Sequence, residues 1–260
     1  MNEPFRLPDL QTLFQTRAAR FRHLAETHAS LSGYLRLMAE LAEIQHDLAL
    51  APGEPAGRDL ARIIAGRLNA SGEPLAAILS QIRQAPDAEL DAQADALIAA
   101  DSGHIDAGLA PFIAAALQVE RTAHAARLDP ARLVPSETGY LCPACGALPV
   151  AGVLQTGGAV QGLRYLACSL CATEWHRVRL HCVHCGSSGK VGYYGIEGAG
   201  GAAKAEACGE CRVYLKLMNR EKDAGLDPVA DDIATLALDV LMAEEGYERL
   251  GFNPLLIPGG

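Results

Sequence analysis

Eight cysteines are the residues in this chain whose spacing points to chemistry. They fall into four CxxC pairs with none left over: "CPAC" (Cys142, Cys145), "CSLC" (Cys168, Cys171), "CVHC" (Cys182, Cys185) and "CGEC" (Cys208, Cys211). A CxxC turn points two thiolates the same way. A glycine after the second cysteine lets the backbone curl, so that amide N–H groups face the sulfurs. Two such knuckles complete a tetrahedral four-thiolate site with metal–sulfur bonds of about 2.3 Å. Shifting the first two pairs by 40 residues superposes all four cysteines on the last two pairs, with Gly146 falling on Gly186 and Gly152 on Gly192. The chain therefore reads as a duplicated C-x2-C-x22-C-x2-C unit. Joining knuckle one to two and three to four keeps the repeat symmetry; joining two to three, across the shorter gap, breaks it. The 22-residue spacer suits a hairpin, with "TGG" (156–158) or "GAGG" (198–201) as its turn.

Rival uses of the thiols fit less well. A thioredoxin-like redox pair needs one CxxC at a strand-to-helix junction, not four in a repeat. Disulfide cross-links belong to oxidising compartments. Tetrahedral thiolate quartets hold zinc or mononuclear iron, and ligand type alone does not separate the two. His181 and His184 flank Cys182, and His176 follows Trp175. Zinc sites close at four ligands, so these histidines are expected beside the sites rather than in them. Trp175, the only tryptophan, is expected to be buried, and of Tyr193 and Tyr194 one is expected to face inward. Residues 140–220 carry eight Lys/Arg against four Glu, a formal +4 that two thiolate-bound divalent ions at −2 each would bring near neutral. Neither "GGAVQG" nor "GAGGAAK" has the spacing of a phosphate loop. No catalytic constellation is visible.

The elements that must position these residues divide the chain. Residues 1–130 lack cysteine and are rich in Ala and Leu at helical spacing. Leu10, Leu13, Phe14, Phe21 and Leu24 form one stripe, and Leu31, Tyr34, Leu35, Met38, Leu41 and Ile44 a second. Further helices are expected at about 57–69, 74–84, 87–101 and 106–127, separated by "APGEPAG", "SGEP", "APD" and "DSGH", with Asp87 as an N-cap. "LDPARLVPSETGY" breaks the pattern, and the next 80 or so residues turn to Gly and β-formers. A closing helix follows. Asp227 caps it, Pro228 opens it, Asp231 and Asp232 favour its N-terminal end, and Gly246 stops it. Its expected buried stripe is Ile233, Leu236, Ala237, Val240 and Leu241, and the tail "LGFNPLLIPGG" is expected to fold back as a loop.

The fold class is thus α+β and multidomain. A helical domain (1–135) precedes two tandem four-cysteine modules of zinc-ribbon type (136–180 and 181–222), then a C-terminal helix and tail (223–260). A net charge of −9 argues against wholesale binding to nucleic acid or anionic membrane. The N-terminus has no signal-peptide pattern and no run of about 18 apolar residues occurs, so a cytoplasmic location is expected.

The strings "LRYLACSLCATEWHRVRLHCVHC", "KAEACGECRVYLK" and "DPVADDIATLALDVLMAEEGY" resemble the FdhE family of formate dehydrogenase accessory proteins. The resemblance implies a non-enzymatic cytoplasmic maturation factor that engages the molybdenum-containing catalytic subunit of formate dehydrogenase before export. It also implies rubredoxin-like modules, which favour iron over zinc for the two mononuclear sites. One would be held by Cys142, Cys145, Cys168 and Cys171, the other by Cys182, Cys185, Cys208 and Cys211. A homodimer is compatible with it. Two other functions fit the cysteines: a redox or thiol-exchange protein acting on the client enzyme, and a zinc-ribbon nucleic-acid binder, which the acidic total disfavours.

Overall fold

The expected apolar stripes do become helices. In the computed structural model, which describes residues 3–51, 53, 57–69, 72–156, 162–198 and 200–256, the chain divides into two units. One comprises Pro8–Arg127 with Pro254–Gly260, the other Met1–Leu7 with Leu128–Asn253.

The helical unit holds α1 (Leu13–Thr27), α2 (Ser32–Leu50), α3 (Gly57–Arg67), α4 (Glu73–Gln84), α5 (Asp87–Ala99) and α6 (Ala110–Ala125). Phe14, Phe21 and Leu24 of α1 and Leu35, Met38, Leu41 and Ile44 of α2 are buried, as their spacing requires. Buried Gln45 on α2 donates through Nε2 to the Ala115 carbonyl and to Gln118 Oε1 on α6, both at 3.0 Å, which ties the two helices together. Asp87 does not cap α5. Pro86 takes that position, and the Asp87 carboxylate accepts from Arg62 at 2.6 Å instead. The turn "APGEPAG" lies largely outside the described residues, while in "SGEP" Gly72 caps α4 with φ at 101° and Pro74 falls in its first turn.

The second unit is built on one sheet. Its strands are β1 (Phe5–Arg6), β2 (Pro149–Leu154), β3 (Arg164–Cys168), β4 (Glu174–His176), β5 (Val191–Tyr194), β6 (Ala203–Cys208), β7 (Val213–Asn219) and β8 (Glu248–Arg249), in the order β1-β4-β3-β2-β7-β6-β5, with β8 beside β7. Each cysteine repeat supplies an antiparallel three-stranded piece, β2-β3-β4 or β5-β6-β7. The two pieces join through parallel pairing of β2 with β7, Gly152 lying opposite Leu217. A Cβ at Gly152 would sit 3.0 Å from Leu217 Cδ1, so the close approach there needs glycine. Arg164 of β3 pairs with Glu206 of β6, both buried, and adds a charge link between the repeats. The hairpin turns proposed at 156–158 and 198–201 fall partly outside the described residues. Strand β1, only two residues long, has no counterpart in the sequence reading; it pairs with β4 through Phe5 and Trp175.

The closing helix is two helices, α7 (Pro228–Ala234) and α8 (Leu236–Glu244). Asp227 does cap α7, accepting from the Val229 and Ala230 amides at 3.0 and 2.8 Å. The break comes at Thr235, whose hydroxyl donates back to the Asp231 carbonyl at 2.7 Å. It resets the helical phase and moves the buried stripe: Ile233, Leu238 and Met242 face inward, while Val240 and Leu241 are exposed. Leu238 and Met242 cover Ala205, Ala207 and Tyr214 on one face of the sheet. The described part of the tail is a loop, with the Phe252 amide donating to the Pro149 carbonyl at 3.0 Å.

Asp232, read from the sequence as favouring the N-terminal end of the closing helix, is also fully buried as one corner of an ionic network. Lys216 Nζ, also fully buried, lies 3.1 Å from Asp232 Oδ1 and 2.6 Å from Asp239 Oδ2. Arg249 reaches Asp232 at 2.5 Å, and Asn253 donates to Asp232 Oδ2 at 2.8 Å. Burial pushes the Asp232 carboxyl up, but Arg249 and Lys216 outweigh it and hold the group below the usual carboxylate range.

Replacing Lys216 by Met leaves two buried carboxylates with only Arg249 between them. A loss of about 3–5 kcal/mol is expected, read from chemical denaturation followed by Trp175 fluorescence. Because the folded-state pKa of Asp232 is depressed, its contribution is complete above the unfolded carboxylate value and is lost as pH falls through the folded one. The acid limb of the stability profile is therefore expected to flatten in Asp232→Asn.

Candidate metal centres

Each knuckle is a local backbone device. Before β2 the Gly146 amide donates to the Cys142 carbonyl at 2.8 Å, and the Cys142 amide to the Ala147 carbonyl at 2.9 Å. The equivalent bonds in the second repeat are Gly186 to Cys182 at 2.9 Å and Cys182 to Ser187 at 2.7 Å. Gly146 and Gly186 have φ of 78° and 76°, the left-handed turn that the repeat's two glycines supply. The other two knuckles, at the ends of β3 and β6, make the same turn without glycine, with Ala172 at φ 57° and Arg212 at 58°. Sequence reading passed over this pair, although the 40-residue shift aligns the two positions.

These turns bring the sulfurs together in the pairing that keeps the repeat symmetry. Cys142, Cys145, Cys168 and Cys171 form one group and Cys182, Cys185, Cys208 and Cys211 the other, each with all Sγ atoms within 4.8 Å of one another. In the first, Cys142 and Cys171 are 3.5 Å apart and Cys145 and Cys168 3.4 Å. The corresponding pairs of the second are both 3.7 Å apart. A regular tetrahedron of zinc–sulfur bonds has edges of about 3.8 Å, whereas a disulfide is about 2.05 Å. The donor sets fit a thiolate-bound ion, and all eight cysteines are free thiols. No histidine joins either group among the described residues. His184 lies against Tyr140, and His176 against Tyr165.

Electrostatics within the quartets favour a cation. Neighbouring thiols donating to Cys145 hold its pKa far below the usual thiol range, while the same hydrogen bonds push Cys142 up and burial pushes Cys168 up. In the second quartet burial opposes the Cys208 thiolate, but the amides of Cys211 and Glu210 outweigh it and bring its pKa down to about 7. Burial pushes Cys211 up to about 12. Each quartet thus gathers negative charge on one sulfur and holds protons on others, which a metal ion would displace.

The two centres differ in exposure. Cys142, Cys168 and Cys171 are buried and Cys145 half-buried. Trp175 on β4 is buried as expected, its indole N–H donating to the Gly139 carbonyl at 3.1 Å. In the second quartet Cys185 is exposed and Cys211 half-buried. Tyr193 and Tyr194 are both partly exposed, at 36% and 41%, contrary to the expected one-in, one-out arrangement, because β5 is the open edge of the sheet. Three of the eight basic residues are ion-paired with carboxylates: Arg164 with Glu206, Lys216 with Asp232 and Asp239, and Arg220 with Glu174.

Loading with zinc is expected to reach two equivalents per chain, and a chromogenic chelator should then withdraw them in two phases. The exposed second quartet supplies the fast phase. Cys182→Ser should remove that phase alone and Cys142→Ser the slow one; a single phase in the unmodified protein would contradict the difference in burial.

Comparison with known proteins places this architecture. The family profiles "FdhE, N-terminal", "FdhE, central domain" and "FdhE, C-terminal domain" match residues 2–70 with 54–138, 141–179 and 180–256 respectively. A protein FdhE homolog of Edwardsiella ictaluri is 39% identical over 98% of this chain and 92% of its own length. Protein FdhE of Escherichia coli O9:H4 is 39% identical over 100% of this chain and 93% of its own. The crystal structure of the FdhE protein from Pseudomonas aeruginosa superposes with a TM-score of 0.88 at 35% identity, covering 98% of this chain and 99% of that one. By the profiles, the relatives and the fold alike, the chain belongs to the FdhE family.

Proposed function

We propose that this protein is a non-enzymatic accessory factor for the assembly of active formate dehydrogenase, acting in the cytoplasm on the catalytic subunit before its export. Two mononuclear ions would be held by Cys142, Cys145, Cys168 and Cys171, and by Cys182, Cys185, Cys208 and Cys211, with iron favoured and zinc as the alternative. The observation that carries this reading is the pair of four-sulfur groups set into one sheet, in a chain of this family. When bound, each ion would cross-link two knuckles, and iron would add a one-electron couple. The chain's own residues do the rest. The Leu170 and Cys171 amides, each 3.4 Å from Cys168 Sγ, favour a thiolate there. The buried Arg164, donating also to the Val178 and His181 carbonyls, ties the first repeat to the segment leading into the second. No membrane-crossing role is proposed, since no described helix is long and apolar enough to span one.

A second reading, electron transfer or thiol exchange with the client, is favoured by the exposure of Cys185.

Deleting the gene is expected to abolish formate dehydrogenase activity while the catalytic polypeptide is still made; full activity in the deletion strain would end the proposal. Protein purified without air should carry two ions. A colourless zinc form that restores activity would retain the accessory role and discard the electron-transfer reading.

A further inference from the structure

A hollow of about 210 Å³ opens on the sheet face opposite the C-terminal helices, away from both sulfur groups. Its floor is apolar, with Leu154 of β2 and Leu217 of β7. Around it stand Arg179, Lys204 and Lys222, with Tyr193 of β5 beside them. The two lysines converge. A Cβ built on Gly201 would lie 3.0 Å from Lys222 Nζ and 3.6 Å from Lys204 Cε, and Gly201 holds φ at 68°. The space in which the two arms meet is thus kept clear by a residue without a side chain.

None of the three cations has an ion-pair partner among the described residues. Arg179 donates to the Gly162 carbonyl at 3.5 Å, lies against the Tyr193 hydroxyl and sits in the field of Glu206. Glu206, opposite Tyr193 in the β5–β6 register, gives one oxygen to Arg164 and answers Arg179 only at longer range. The neighbouring basic residues Arg164, Lys216 and Arg220 are by contrast each neutralised by a carboxylate. Two unpaired lysines and an arginine only partly answered by Glu206 are pressed toward one small cavity and repel one another, and an anion in the hollow removes that repulsion.

We propose that this hollow is a binding site for a phosphate-class oxyanion. Three cations with a tyrosine hydroxyl match a multiply charged tetrahedral anion, with Arg179 offering a planar fork and the lysines mobile point charges. A single carboxylate leaves most of that charge unanswered. The volume admits a phosphate or pyrophosphate group, and the leucine floor accommodates an attached organic part; an acidic peptide segment is too large for it. The site does not depend on the phosphate-loop spacing absent from "GAGGAAK", because Lys204 lies on a strand rather than at the start of a helix.

The test is titration of the full-length, metal-loaded protein with pyrophosphate and with inorganic phosphate, by calorimetry at physiological ionic strength. Saturable binding at one site per chain is expected, tighter for pyrophosphate. Lys204→Gln and Arg179→Gln should each weaken it by about tenfold, the scale of one charge-assisted contact. Arg132→Gln, an exposed cation outside the hollow, should leave it unchanged. Metal content and circular dichroism of each variant confirm that the fold survives. Absence of saturable binding by either anion overturns the site. So does equal weakening by Arg132→Gln, which marks diffuse charge attraction. An oligoglutamate peptide that binds more tightly than pyrophosphate overturns the phosphate assignment.

Discussion

Everything in the sheet unit depends on keeping four sulfurs within 4.8 Å of one another, twice over. Thiolates at that spacing repel, and thiols at that spacing contribute little, so the arrangement is stable in proportion to the positive charge at its centre. Structural four-ligand zinc sites supply on the order of 10–16 kcal/mol of folding free energy in small peptides. The second repeat needs such a source more than the first. Strand β2 is buried along its whole length, but every residue of β5 is half-buried or exposed. What β5 lacks in apolar contact, the closing of knuckles at both ends of its hairpin has to offset.

The same comparison explains why two near-identical motifs have different surroundings. In the first repeat the free edge of β2 is taken by β7, and the far edge of β4 by β1. In the second, β7 is shared with the first repeat while β5 keeps an open edge. Duplication gave the two units one backbone plan, but head-to-tail joining can bury only one of the two equivalent edges. The exposure of Cys185 belongs to this asymmetry and not to any difference in its own knuckle, whose hydrogen bonds match those around Cys142.

What could be read from the sequence was whatever has a period. The helices of residues 13–125 show their 3.6-residue spacing, and the two sulfur quartets show a 40-residue repeat that favours the pairing of knuckles one with two and three with four. The parallel β2–β7 pairing leaves no such trace, since the residues it joins lie about 65 apart and have no complementary pattern. Strand β1 is two residues long and has no period to display. The closing helix misled for a related reason. One threonine hydroxyl turned onto the Asp231 carbonyl shifts the phase of everything after it, and a stripe counted through Thr235 then lands on the solvent side at Val240 and Leu241. The buried pair of Lys216 and Asp232 left no trace in the sequence, which shows charge but not what faces it.

The basic excess around the cysteines needs a different account from ligand compensation. Lysine and arginine carboxylate pairs hold the repeats and the C-terminal helices together: Arg164 with Glu206 across the repeats, Lys216 with Asp232 and Asp239 beneath the helices. The sulfurs are served instead by backbone dipoles, the amides of Leu170 and Cys171 at Cys168 and those of Glu210 and Cys211 at Cys208. Amides fixed by the knuckle turn lower a thiolate's energy at little reorganisation cost, while a flexible ammonium must be ordered first. Charge for folding and charge for the metal sites are therefore supplied by different chemical groups. Among the side-chain cations left over by both tasks are the two lysines that converge on the hollow at Gly201.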